Sequence, residues 1–299
     1  MRHIFRIRNR RSRKSLLSMR GKPLTGGVGF GVCIRGRSHF PKLAFAALLG
    51  TLFFLAQALA AQQPVSITIS AAISLKDPLD LLARQYERIH PNTKILVNYG
   101  ASGTLEHQIE QGAPVDVFFS AAEAQMDALE SKGLISAATR RNIASNELVL
   151  VVPASAARIA SFQDLAQGDV KIIALGEPST VPAGKYAQET LEHLGLLAAI
   201  KSKVVYAKDV RAVLTYVETG NADAGVVYKT DAIASGKVRI AATAPESAHS
   251  PIVYPAAVLR DSKNSTEANL FVAFLADAEA RATFERFGFR AEERQAEKH

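Results

Sequence analysis

Cysteine and tryptophan are all but missing from this chain of 299 residues, which has one Cys, at position 33, and no Trp. Beyond the first sixty residues a disulfide framework, a cysteine nucleophile and a thiolate metal site are therefore excluded. Those sixty residues in turn lack any acid, while holding twelve of the 36 Lys and Arg. Residues 61–299 carry the other 24 basic residues against all 28 acidic ones, a net charge of −4. The overall excess of +8 is thus confined to one end, and the body has no basic surplus of the kind that binds nucleic acid. Enzyme signatures are missing too. The chain has no Gly-x-Ser-x-Gly elbow, no His-Glu-x-x-His and no GxxxxGK phosphate loop. The five body histidines (His90, His107, His193, His249 and His299) fall at no helical repeat, and no acid pair stands out as catalytic.

What is present begins with an uncharged, mostly apolar run, residues 43–60, behind the basic stretch and ending Ala58-Leu59-Ala60. A basic region, an apolar region and a small-residue end are the parts of a secretory signal peptide, which assigns residues 1–60 to export. A run of about 18 apolar residues also just spans a bilayer, so a retained anchor is the other reading. The exported body reads as a soluble periplasmic protein.

From Val65 onward strand and helix patterns alternate. Val65, Ile67 and Ile69 alternate with polar residues as in a strand; Leu79, Leu82, Tyr86 and Ile89 follow Pro78 at helical spacing. Strands are expected at 94–99, 115–120, 147–152, 171–175, 204–206 and 224–228, with 252–259 crossing back. Helices are expected at 104–111, 124–131, 183–194 and 210–219, with one long closing helix over 266–287 and a solvated tail over 290–299. This β-α rhythm, restarting after a crossover, predicts an α/β clamshell of two lobes, each a mostly parallel sheet flanked by helices. Residues 62–146 and 243–299 would form lobe I and residues 147–242 lobe II. Two such lobes close on a ligand by hinge motion, the plan of periplasmic binding proteins.

Strand-to-helix junctions recur at Ala71–Leu75, Gly100–Thr104, Val181–Gly184 and Lys208–Val210. A helix start leaves N–H groups unpartnered and favours negative charge, so several together suit a ligand that only accepts hydrogen bonds, such as an ionised tetrahedral oxyanion. On local grounds alone Ser74 and Ser102 read as helix caps, and Tyr228 as a core residue with a satisfied hydroxyl.

At these same residues the sequence resembles the periplasmic molybdate-binding proteins of molybdate ABC transporters. The resemblance runs from about Ile67 to Phe289, through AAISL (71–75), GASGTLEHQIEQGAPVDVFFSA (100–121), EPSTVPAGKYAQETLEHLG (177–195), AKDVRAVLTYVE (207–218) and AGVVYKTDA (224–232). It implies an oxyanion held by Ser74, Ser102, Ala183, Val210 and Tyr228 through hydroxyl and backbone N–H donors. It implies no direct metal ligand, no cofactor beyond the molybdate or tungstate ligand, and no catalysis. The implied partner is an inner-membrane ABC permease, served by a monomer. Lys185, Lys208 and Arg211 are expected to tune the field without touching the anion. The alternatives are a binder of another oxyanion such as sulfate or phosphate, and an exported α/β hydrolase using Ser102 as nucleophile.

Overall fold

A computed structural model of the protein describes residues 64–156 and 158–291. The leader through residue 60, Cys33, His299 and most of the 290–299 tail lie outside the described residues. Among the described residues no helix is long and apolar enough to cross a membrane.

The chain opens with β1 (Val65–Ala72), α1 (Lys76–Ile89), β2 (Thr93–Gly100), α2 (Ser102–Glu110), β3 (Val117–Phe119) and α3 (Glu123–Ser131). Strand β1 pairs in parallel with β2, from Val65 opposite Thr93 to Ala72 opposite Gly100, and on its other side with β3. Helix α1 forms because Pro78 sits in its first turn, where a missing N–H costs nothing, and because Leu79, Leu82 and Tyr86 recur on one face. Those three are buried; Ile89, at the same spacing, is not and stands 64% exposed. Helices α2 and α3 stop where Gly112 and Gly133 adopt φ of +85° and +70°, a backbone turn open to glycine and costly for other residues.

The chain next forms β4 (Arg141–Ser145) and β5 (Leu148–Pro153), then β6 (Ile173–Gly176), α4 (Pro182–His193), α5 (Leu197–Ile200) and β7 (Val204–Ala207). There follow α6 (Val210–Glu218), β8 (Ala224–Tyr228), α7 (Lys229–Ile233) and β9 (Val238–Thr243). It ends with β10 (Val253–Val258), α8 (Ser265–Leu275), α9 (Ala278–Arg286) and β11 (Arg290–Ala291). Two sheets result, ordered β11-β4-β10-β3-β1-β2 and β7-β6-β8-β5-β9. The protein is a two-lobed α/β molecule, one sheet to a lobe, with helices against both.

Both sheets are mixed, which corrects the expectation of mostly parallel pairing. Helical connections give the parallel pairs β1 with β2 and β3, and β6 with β7 and β8. Strands β4, β5, β9, β10 and β11 pair antiparallel. Only Asn146 and Glu147 separate β4 from β5. A parallel partner needs a crossover of a dozen or more residues, so strands fed straight from the opposite lobe take the antiparallel option.

The closing helix is also two helices. Asp277 breaks it by accepting from the amide of Ala280 at 2.7 Å, which caps α9 and turns the axis. The break leaves Leu270 exposed while Phe271 and Phe284 are buried and Phe274 and Phe287 half-buried. Tyr86 meets Phe271 edge-on with centroids 5.0 Å apart, and Phe119 meets Phe284 at 6.1 Å. Such aromatic pairs seat α8 and α9 on the first sheet, to which the chain has returned. Arg290 and Ala291, expected in a solvated tail, instead pair with Ser145 and Ala144. Strands β4 and β9 and the short helices α5 and α7 were not anticipated; each is brief and lacks a sustained apolar period.

Candidate functional site

Strands β1 and β2 of the first sheet, and β6 and β7 of the second, lead into helical turns beyond their C-terminal ends. Residues of these turns, with Tyr228 at the end of β8, border one cavity between the lobes. Ser74, Ala101, Ser102 and Ala121 line it from the first lobe, and Val181, Pro182, Ala183, Val210 and Tyr228 from the second. The structure thus brings together all five residues singled out from the sequence, although Ser74 and Tyr228 stand more than 150 positions apart. No Lys, Arg, Asp, Glu or His is among the lining residues.

Neither serine is a helix cap, contrary to the local reading. Ser74 lies inside a single 3₁₀ turn, Ile73–Leu75, and its Oγ is 3.2 Å from the Tyr254 hydroxyl. Ser102 is the first residue of α2, after Ala101 in extended conformation, and its Oγ accepts from the amide of Ala121 at 3.0 Å. A hydroxyl accepting from a backbone N–H has its own hydrogen left to donate. Both serines are almost fully buried.

The second lobe supplies backbone donors. Pro182 opens α4 and Val181 precedes it in extended conformation, so Ala183 is the second helical residue and its N–H has no intrahelical acceptor. Asp209 caps α6 through Ala212 at 2.8 Å, as the sequence predicted, leaving the N–H of Val210 at the first position. Packing requires Gly184 behind Ala183: a Cβ there would lie 2.1 Å from the carbonyl oxygen of Gly176. Tyr228 ends β8, and its hydroxyl donates to the carbonyl of Ala121 at 3.5 Å, a long and weak bond that a stronger acceptor in the cavity would displace. Burial, with Tyr254, Tyr186 and Asp231 nearby, pushes this phenol well above its ordinary range, so it remains a donor.

The neighbouring cations are engaged elsewhere. Arg211, one residue past Val210, places Nη2 2.7 Å from Asp77 and Nε 2.8 Å from Asp231. Asp231 is fully buried, and loss of hydration raises its carboxyl to about 7 despite Arg211, which pulls the other way. Lys185 faces Glu189 at 3.8 Å. Away from the cavity, Glu106, His107 and Glu110 come within 4.8 Å of one another, but Glu110 is already paired with Lys132 and with His107.

Sequence reasoning missed the supports of the site: Ala121, which holds Ser102, and Tyr254, which holds Ser74. Tyr254 lies 180 residues from Ser74, so no local pattern could announce it.

A cavity between two α/β lobes, lined at helix starts and without charged side chains, suits a solute receptor, and the sequence comparison agrees. Residues 67–290 match the family model described as bacterial extracellular solute-binding protein. The chain belongs to that family. Among relatives of this solute-binding protein, a Bacillus subtilis protein provisionally named an ABC transporter substrate-binding lipoprotein is 48% identical over 77% of this chain and 88% of its own. The molybdate-binding protein of Escherichia coli is 36% identical over 75% of this chain and 88% of its own. In three dimensions the solute-binding chain is similar to the Azotobacter vinelandii periplasmic molybdate-binding protein. That likeness has a TM-score of 0.68 and 26% identity, and covers 76% of this chain and all of the other.

Proposed function

We propose that this protein captures molybdate, and with it tungstate, outside the cytoplasm and hands it to an inner-membrane ABC permease. The observation that carries the reading is a cavity of donors without a counter-charge. Ser74, Ser102, Tyr228, Ala183 and Val210 are among its lining residues and no charged side chain is; on this reading the three hydroxyls and the two helix-start amides are the donors. Burying a dianion is costly unless each oxygen is hydrogen-bonded, and neutral oriented donors provide that while still permitting release. The names of the relatives point to the same ligand class. The anion docks on the donors of one lobe, and closure brings in those of the other.

Several finer assignments accompany this reading. Residues 62–146 and 243–299 form the first lobe and residues 147–242 the second. The first sixty residues direct export to the periplasm, and the receptor works as a monomer. On this reading it is a carrier, and the Ser102 oxygen, the nucleophile of the hydrolase alternative, is held by the backbone amide of Ala121.

Thermal unfolding with molybdate, tungstate, sulfate or phosphate tests the proposal. A ligand at about 1,000 times its dissociation constant adds about 4 kcal/mol of stability, a shift of several degrees. Stabilisation by molybdate and tungstate alone is expected; an equal response to sulfate would sink the molybdate assignment.

A further inference from the structure

A chain of buried hydrogen bonds runs from the segment joining the lobes to the cavity, and its direction is set at one end. The amide of Glu147 donates to Asn146 Oδ1 at 2.9 Å. A backbone N–H can only donate, so this contact turns the other end of the Asn146 side chain, the NH₂ group, away from it. That nitrogen donates to Thr230 Oγ1 at 3.0 Å and to the Tyr254 hydroxyl at 3.2 Å. The Tyr254 hydroxyl also meets Ser74 Oγ at 3.2 Å, a contact in which either oxygen can donate; with Asn146 already donating to it, Tyr254 is the better placed donor of the two. In that arrangement Ser74 accepts from behind and its own hydrogen is left for the cavity. Asn146, Tyr254 and Ser74 are all buried, so water does not compete for these positions. Asn146 lies between β4 and β5, and Tyr254 lies in β10 where the chain has returned to the first sheet.

Building on the oxyanion-receptor reading above, we infer that Tyr254, oriented by Asn146, is a positioning residue that holds the Ser74 hydroxyl as a donor and so excludes oxyanions that carry a proton. A hydrogenphosphate O–H needs an acceptor in the site. The hydroxyl oxygens lining the cavity are the side-chain acceptors on offer, and Tyr254 engages that of Ser74. Ser102 is held in the same sense by the amide of Ala121, which no side-chain substitution removes. The Tyr254 hydroxyl is therefore the point at which the polarity of the site is open to change.

The test is equilibrium binding of molybdate, and of hydrogenphosphate in competition with it, to wild type, Tyr254→Phe and Asn146→Leu. Each variant is also made in a Ser74→Ala background. Tyr254→Phe keeps the buried ring; it carries the test by itself if Asn146→Leu does not fold. The preference for molybdate over hydrogenphosphate is expected to narrow by about tenfold in either variant, the worth of about one hydrogen bond. In the Ser74→Ala background neither substitution has further effect, the mark of residues acting through one group. Equal weakening of both anions, or an effect that persists without the Ser74 hydroxyl, overturns the inference while leaving the receptor reading intact. Failure of the wild type to bind molybdate overturns both.

Discussion

The amide of Gly103 donates to the carbonyl of Thr180 at 2.9 Å, joining the first turn of α2 in one lobe to the loop before α4 in the other. The approach is close enough that a Cβ on Gly103 would lie 2.8 Å from both the Cα and the carbonyl oxygen of Thr180. Backbone on both sides leaves nothing to rotate aside. This contact lies one residue from Ser102 and ties one lobe to the other, so a bulkier residue at 103 opposes the approach seen here.

Gly103→Ala is therefore expected to weaken molybdate binding at least tenfold through incomplete closure. The same change favours helix by about 1 kcal/mol, so the unliganded protein should unfold no more readily. Calorimetric titration and ligand-free denaturation separate the two effects. Unchanged affinity would show that closure does not need this approach.

Each binding serine should show two losses. Either Ser→Ala change removes a hydrogen bond to a charged ligand, worth about 1.5–3 kcal/mol or roughly 10- to 100-fold in affinity. Each also strands a buried partner, the amide of Ala121 behind Ser102 and the hydroxyl of Tyr254 behind Ser74, and should lower ligand-free stability by about 1–3 kcal/mol. Urea unfolding of both variants without ligand checks this second loss; unchanged midpoints would contradict it.

Tyr228→Phe isolates the phenolic donor. Its ring packs against Tyr254 with centroids 5.7 Å apart and is retained, and the contact of the lost hydroxyl with the Ala121 carbonyl is a long 3.5 Å. Stability should change little while affinity falls about tenfold or more, as for the loss of any hydrogen bond to an anion. Comparable losses in both would contradict the assigned role.

Asp231 makes stability depend on pH in an unusual direction. Its folded carboxyl is raised to about 7 from an ordinary 3.8, chiefly by burial. A raised group binds more protons folded than unfolded, so its contribution is fully present below the ordinary value and is lost as pH rises through about 7. Wild type should gain stability relative to Asp231→Asn as pH falls from neutrality toward 5. Arg211→Ala should be most damaging above neutrality, where the buried carboxylate stands without its partner. Denaturant midpoints across this pH range decide the matter; a flat difference between wild type and Asp231→Asn would refute it.

The sequence by itself determined the local events: the alternation of β1, the stripe of α1, the stops at Gly112 and Gly133, and the Asp209 cap. Each is settled within one or two turns of chain, by periodicity, by a positive φ or by one side-chain hydrogen bond, so a window of residues carries the information. The strand-to-helix junctions that border the cavity belong to the same class, and all five expected residues lie there. Tertiary structure decided the rest. It made both sheets mixed, because the strands entering from the opposite lobe had no crossover helix to turn them parallel. It broke the closing helix at Asp277 and left Leu270 and Ile89 outside, since which face is buried depends on what packs against it. It also set two serines that read as caps against buried supports, one against an amide 19 residues away and one against a phenol 180 residues away. A buried hydroxyl needs a hydrogen-bond partner, and the partners here are adjacent only in the fold.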